Sequence, residues 1–377
     1  MNRQLAAFVV ALIFCLSAAV TPAIAKEGWK PAGTLIADVQ TGNAFALNDG
    51  RVVSVGMQGN PDAWPATTQI WNPRTKVWKA SKVKPALPHL QMGAAVMLDD
   101  GRILVTGSCK KDCGAGSNAE LYNIATDTWT VPRQMAHGRY FHSMAKLLDG
   151  RVLVLGGCVI DPCMTGTLEV EVFDPKSDTF TKSPTPMTIH RVCFTATLLD
   201  DGRVLVAGGY NSSGILRDNE TYDPSTSTWT VNPPMKHRHV VHAAVLMQDG
   251  DVLVVGGDCK IQLPCSGADL FNPRTGMWKS AGHMSAPRSG LSAILLQDGK
   301  VLISGGLSYF GMLWQDLQSC EAFDPVKHAF VEEEPMAAQR ANFSLAKLPN
   351  GKVLAVGGDQ WAGGNSKNPG TAELYTP

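Results

Sequence analysis

Seven cationic or imidazole side chains recur at matched places along this chain, and together they could grip an anion. Arg139, Arg191, Arg288 and Arg340 each stand seventeen positions ahead of the first glycine of a Gly-Gly pair, and His239 fills the same slot once. His142 and His242 follow their slots by three positions. Guanidinium forks suit a carboxylate or phosphate, and imidazoles carry protons or bind metal. The same groups can instead hydrogen-bond the backbone of a neighbouring repeat, because a buried polar group needs a partner. A second set is flat and apolar: Trp64, Tyr309, Phe310, Trp314 and Trp361 interrupt otherwise polar loops. Such faces can stack on a sugar ring or on a partner's side chains.

Six of the nine cysteines form three close pairs: Cys109 with Cys113, Cys158 with Cys163, and Cys259 with Cys265. Each pair follows a strand that ends in small residues. Local disulfides are expected. Cys-x-x-x-Cys spacing could also hold zinc, but the pairs belong to different repeats and have no histidine partners beside them. Cys320 reads as a small core residue, whereas Cys193 opens an inner strand, where a free thiol could react.

What positions these groups is a repeat. Asp-Gly-Arg-Val-Leu-Val-Leu-Gly-Gly at 149–157 recurs with copies beginning at Asp49, Asp100, Asp149, Asp201, Asp249, Asp298 and Asn350, about 50 residues apart. Each copy predicts a tight turn feeding a short aliphatic strand. A second strand, centred on Trp78, Trp129, Phe180, Trp229, Trp278 or Phe330, follows an Asn-Pro or Asp-Pro turn in most copies. Six such strands serve seven turns. The seventh stands at the other end of the chain, because Trp29 lies 49 residues before Trp78 in a segment of the same form. Pairing this segment with Ala372 to Tyr375 would close a ring of seven units.

These repeats resemble kelch motifs, similar to those in the propeller domain of galactose oxidase. The resemblance covers residues 26–377 and implies an all-β, seven-bladed propeller closed by its N- and C-terminal strands. In that family the Asp-Gly turns crowd one face, and long varied loops occupy the other, where a ligand is expected. The oxidase relatives hold copper with a Tyr-His pair and a tyrosine cross-linked to cysteine. Here Cys193 matches the cysteine and His142 the histidine, but Phe141 and Val241 stand where the phenols belong. No cofactor is therefore expected, a metal shared by His142 and His242 being the less favoured alternative.

Met1 to Ala25 reads as a secretory leader: Arg3, an apolar run from Leu5 to Val20, then Ala23-Ile24-Ala25. Residues 26–377 are then the mature propeller, secreted or periplasmic and expected as a monomer. Its net charge is close to −1, which excludes strong attraction to nucleic acid, and no later segment is apolar enough to insert in a membrane. The expected function is a non-catalytic binding propeller for a carbohydrate or a cell-surface protein. Arg139, His142, Arg191, His239, His242, Arg288, Arg340, Trp64, Tyr309, Trp314 and Trp361 are its candidate ligand contacts. The alternative is a carbohydrate-active enzyme, either a sugar-acid isomerase using the cationic ring or a copper oxidase.

Overall fold

Asp-Gly at a turn supplies two things, a carboxylate that accepts the next N–H and a residue that tolerates positive φ. The Asp49 carboxylate accepts the Arg51 N–H at 3.0 Å, and Gly50 has φ 86°. The Leu47 N–H then donates to the Arg51 carbonyl at 2.8 Å, and the same bond recurs at Leu98, Leu147, Leu199, Met247, Leu296 and Leu348. A computed structural model of the chain describes residues 27–377 apart from 38–40, 58–66, 87–92, 110–114, 160–165, 311–312 and 361–369. The leader (1–25), Lys26, Trp64, Trp361, Cys113 and Cys163 lie outside the described residues.

The described chain is all β, with seven four-stranded antiparallel sheets. Blade 3 is representative: Ser143–Lys146, Val152–Leu155, Val170–Asp174 and Thr179–Lys182 pair in that order. Its second strand is buried at every position, because each face of the blade meets a neighbour. Val152 and Val154 pack towards blade 2, while Leu153 and Leu155 pack towards blade 4. This explains the uninterrupted aliphatic runs, which a half-exposed strand would break by alternation. Apolar wedges of this kind fill all seven gaps between blades.

The blade aromatics sit in cross-strand pairs. Trp129 packs on Tyr122, Phe180 on Phe173, Trp229 on Tyr222, Trp278 on Phe271 and Phe330 on Phe323, with centroids 4.9 to 5.2 Å apart. Closure follows the expected route. Gly28–Thr34 pairs with Thr371–Thr376, placing Trp29 opposite Tyr375, so the last blade takes three strands from the end of the chain and one from the start. The innermost strand of blade 1, Thr41–Ala46, then lies against Ser344–Lys347 of blade 7.

Three features depart from the uniform repeat. In blades 4, 5 and 6 the loop between second and third strands rises as a two-stranded hairpin: Tyr210–Asn211 with Gly214–Ile215, Asp258–Lys260 with Leu263–Pro264, and Leu307–Phe310 with Leu313–Asp316. The hairpins stand side by side in blade order, on the side opposite the Asp-Gly turns. Cys259 and Cys265 are disulfide-bonded across the foot of the blade 5 hairpin, and Cys158 is also in a disulfide.

Candidate functional site

The cationic ring does not face a ligand. Arg139, Arg191, Arg288 and Arg340 are completely buried. Each donates from one nitrogen to two backbone carbonyls of its own blade and from the other to a carboxylate. Arg191 reaches the Gly208 carbonyl at 2.7 Å, the Asp218 carbonyl at 2.9 Å and Glu220 Oε1 at 3.2 Å. Arg139, Arg288 and Arg340 do the same with Glu171, Glu321 and Glu373 at 2.7 to 2.8 Å. The carboxylate's other oxygen accepts a backbone N–H from the loop leading into the blade, as Glu220 does from Thr188 at 2.9 Å. Burial draws the guanidinium pKa values down, and the facing carboxylates pull them back. These arginines are therefore staples that fasten each approach loop to its blade, which corrects their expected place among the ligand contacts. His239 fills the same slot in blade 5, fully buried against Asp269.

Two residues beyond each staple the chain turns left-handed. Phe141, Cys193, Val241 and Asn342 have φ between 51° and 54°, with Gly290 at 60° in the fifth place. A bulky or β-branched side chain rarely accepts that conformation, and strain of this kind gathers at functional sites. What holds it is a chain of backbone bonds from blade to blade. Cys193 donates to Phe141, Val241 to Cys193, Gly290 to Val241 and Asn342 to Gly290, at 2.8 to 3.2 Å. All five precede innermost strands, so they rim one end of the central channel. Sequence reading missed this rim because its residue types have nothing in common; only their constant offset from the staples marks them.

The rim thiol is partly buried. Burial, followed by the nearby Asp258 carboxylate, pushes Cys193 up to about 12, so it stays protonated at neutral pH. A thiol held protonated is a poor nucleophile, which counts against the expectation of a reactive cysteine. Cys320 is buried between blades 6 and 7, as a small core residue should be.

His142 and His242 bond backwards across blade interfaces. His142 Nε2 lies 2.8 Å from the Thr106 hydroxyl of blade 2, and His242 Nε2 lies 3.0 Å from that of Thr195 in blade 4. Burial, then the Arg139 charge, lowers His142 to about 3. The folded protein thus holds a neutral ring whose unfolded counterpart protonates near pH 6.5. The stabilisation is complete above about pH 6.5 and declines as pH falls towards 3, by about 1.4 kcal/mol per pH unit. A His142→Gln variant should show a pH slope of unfolding free energy shallower by up to one proton between pH 6 and 4. Parallel slopes in denaturant titrations would exclude a neutral buried imidazole.

The aromatic set divides. Tyr309 and Trp314 face each other across the blade 6 hairpin with centroids 5.0 Å apart. Phe310 and Leu313 extend to its exposed tip, and Ile261 and Leu263 are exposed on the blade 5 hairpin beside it. The crest is therefore partly aliphatic as well as aromatic.

A family profile described as the KLHDC2/KLHL20/DRC7 Kelch-repeats domain matches residues 39–257, more than half of the chain. The chain belongs to the kelch-repeat family. Among its relatives, Kelch-like protein terF of Aspergillus terreus is 27% identical over 139 residues, covering 35% of this chain and 30% of that protein. Galactose oxidase of Gibberella zeae is 28% identical over 120 residues, covering 31% of this chain and 16% of the oxidase. These matches span less than a third of either relative's length. A solved structure described as a novel fungal alcohol oxidase of the AA5 family in complex with copper superposes with a TM-score of 0.75 at 19% identity, over 93% of this chain and 76% of that one. At that identity the likeness shows the fold alone.

The copper that such relatives hold does not fit this kelch propeller. Phe141 and Val241 do stand on the channel rim, but neither offers an oxygen, and His142 Nε2 is already engaged by Thr106. A sugar-acid isomerase would need the cationic ring as a carboxylate clamp, and four of its members are buried staples. A kelch propeller supports a binding or interaction role.

Proposed function

We propose that this kelch propeller is a non-catalytic binding module whose ligand seats on the loop-rich face, against the hairpin crest of blades 5 and 6. One observation carries the reading: Ile261 and Leu313 are 74% and 73% exposed on the touching hairpins of blades 5 and 6, the second of which also carries Phe310 and Trp314. Exposed apolar side chains grouped on neighbouring hairpins mark interaction sites. The aliphatic share favours a protein partner, since Ile and Leu offer a sugar no flat face to stack on; carbohydrate is the second choice. The leader-like segment and the Cys259–Cys265 bond support secretion into an oxidising compartment.

Peptide display and a glycan array, each probed with purified protein, test the reading. Selected ligands should be apolar peptides, and Trp314→Ala should weaken them by about 30-fold, as loss of an aromatic anchor commonly does. Ligands indifferent to both Trp314→Ala and Leu313→Ser would move the site elsewhere. Oxygen consumption by copper-loaded protein with a sugar or alcohol would replace the binding module with an oxidase.

A further inference from the structure

Blade 5 breaks the staple pattern in three places at once. The arginine is His239, the glutamate is Asp269, and the residue two before Asp269 is Gly267, where the other stapled blades carry Glu169, Asp218, Ser319 and Thr371. A side chain at Gly267 would lie 2.8 Å from the ring of His237, so the glycine makes room for a second imidazole beside the first. His237 Nδ1 lies 3.2 Å from Asp269 Oδ1, and His239 Nε2 lies 3.2 Å from Asp269 Oδ2. All three donor atoms fall within 4.8 Å of one another, and they are the only such group among the described residues.

The ring of His239 is aimed by its other nitrogen. Nδ1 is 2.7 Å from the Gly256 carbonyl, which can only accept, so Nε2 is turned towards the Asp269 carboxylate. His237 brings a second imidazole nitrogen to the other oxygen of the same carboxylate. Donors about 2.0–2.1 Å from one ion lie about 3.3 Å apart, and each imidazole nitrogen stands 3.2 Å from its own Asp269 oxygen.

The geometry points to a divalent transition-metal site in blade 5, with His237 Nδ1, His239 Nε2 and the Asp269 carboxylate as ligands. Two imidazoles and a carboxylate suit zinc, nickel or copper, and exclude calcium and magnesium, which take oxygen donors. The supporting bonds are in place. His239 donates its other N–H to a backbone carbonyl, the usual device for aiming a ligating nitrogen, and Asp269 Oδ2 accepts the His237 N–H at 2.8 Å. His239 and Asp269 are buried, whereas the His237 side chain is 28% exposed and gives the ion its way in. Three protein ligands leave a fourth position for water or for a donor group on a bound partner.

The test is calorimetric titration of untagged, chelator-treated protein with zinc chloride at neutral pH, with metal content measured on the dialysed product. Wild type should take up one equivalent. His237→Ala removes a ligand while leaving the His239–Asp269 pair and the His237 backbone bond to Asp269 in place. It should lower affinity by more than the roughly 10–100-fold that follows loss of an outer-shell partner. The double variant His239→Arg, Asp269→Glu installs the pair found in the other blades and should bind no zinc while melting as wild type does. Absence of zinc uptake by wild type, or equal affinity in wild type and His237→Ala, overturns the site. If the double variant fails to fold, His237→Ala decides alone.

Discussion

Removing residues 26–36 will lower the stability of the entire ring, giving one cooperative transition at least 10 °C below that of the full propeller. The segment supplies the outer strand of blade 7, and its interior is shared with blade 1. Ala32 and Leu35 are buried with Trp71, Trp78 and Leu354 between the first and last blades, and the Trp71 indole donates to the Ala32 carbonyl at 2.8 Å. Full burial of one large aliphatic or aromatic side chain contributes about 1.5–3 kcal/mol. Loss of the strand uncovers several such groups and frees the backbone of Thr371–Thr376 along one edge. The two ends of the ring would then part, and the remaining blades would behave as an open stack whose terminal units lack a neighbour. Thermal unfolding followed by tryptophan fluorescence and circular dichroism measures the effect. A melting temperature within 2–3 °C of the parent's, or loss of a small separate transition only, would show that the closing strand is an appendage.

Arg191→Ala will destabilise the protein by about 3–5 kcal/mol, because it leaves a buried carboxylate without its counter-ion. Glu220 is completely inaccessible, and the truncation also deprives the Gly208 carbonyl of the guanidinium donor and the Asp218 carbonyl of one of its two donors. For a propeller of about 350 residues the melting temperature should fall by roughly 4–7 °C. Arg203→Ala is the contrasting change. Its pairing with Asp201 is half-exposed in an Asp-Gly turn, where such pairs contribute about 0–1 kcal/mol. The double variant Arg191→Met, Glu220→Leu should recover much of the loss by removing both charges together. A single-variant loss below 1 kcal/mol would mean that Glu220 finds water or another donor, and the staple would lose its structural meaning.

Ring architecture was legible in the chain because one turn chemistry repeats seven times, and because Trp29 and the missing outer strand require each other. The arginines were harder to place. Their charge is visible at once, but their partners Glu171, Glu220, Glu321 and Glu373 lie 29 to 33 residues further on, in strands that otherwise read as core. A signal did exist: where Arg becomes His239, the partner shortens to Asp269, which a comparison of repeats can detect. The channel rim left no trace in residue type, since Phe141, Cys193, Val241, Gly290 and Asn342 share a backbone conformation and no side-chain chemistry. The hairpins of blades 4, 5 and 6 were read as loops, because each strand spans only two to four residues and too few positions alternate to reveal it.

The bonds that run from Asn342 back to Phe141 have a mechanical consequence. They act as a hoop across five of the seven blades at the channel end, so neighbouring blades cannot splay there one at a time. The rim from blade 3 to blade 7 is thus held by the fold itself. The hairpins of blades 4, 5 and 6 stand outside the hoop, in contact with one another along the crest and joined to the blades at their feet. Blade spacing at the rim and the apolar surface of the crest are therefore set by two separate parts of the same face.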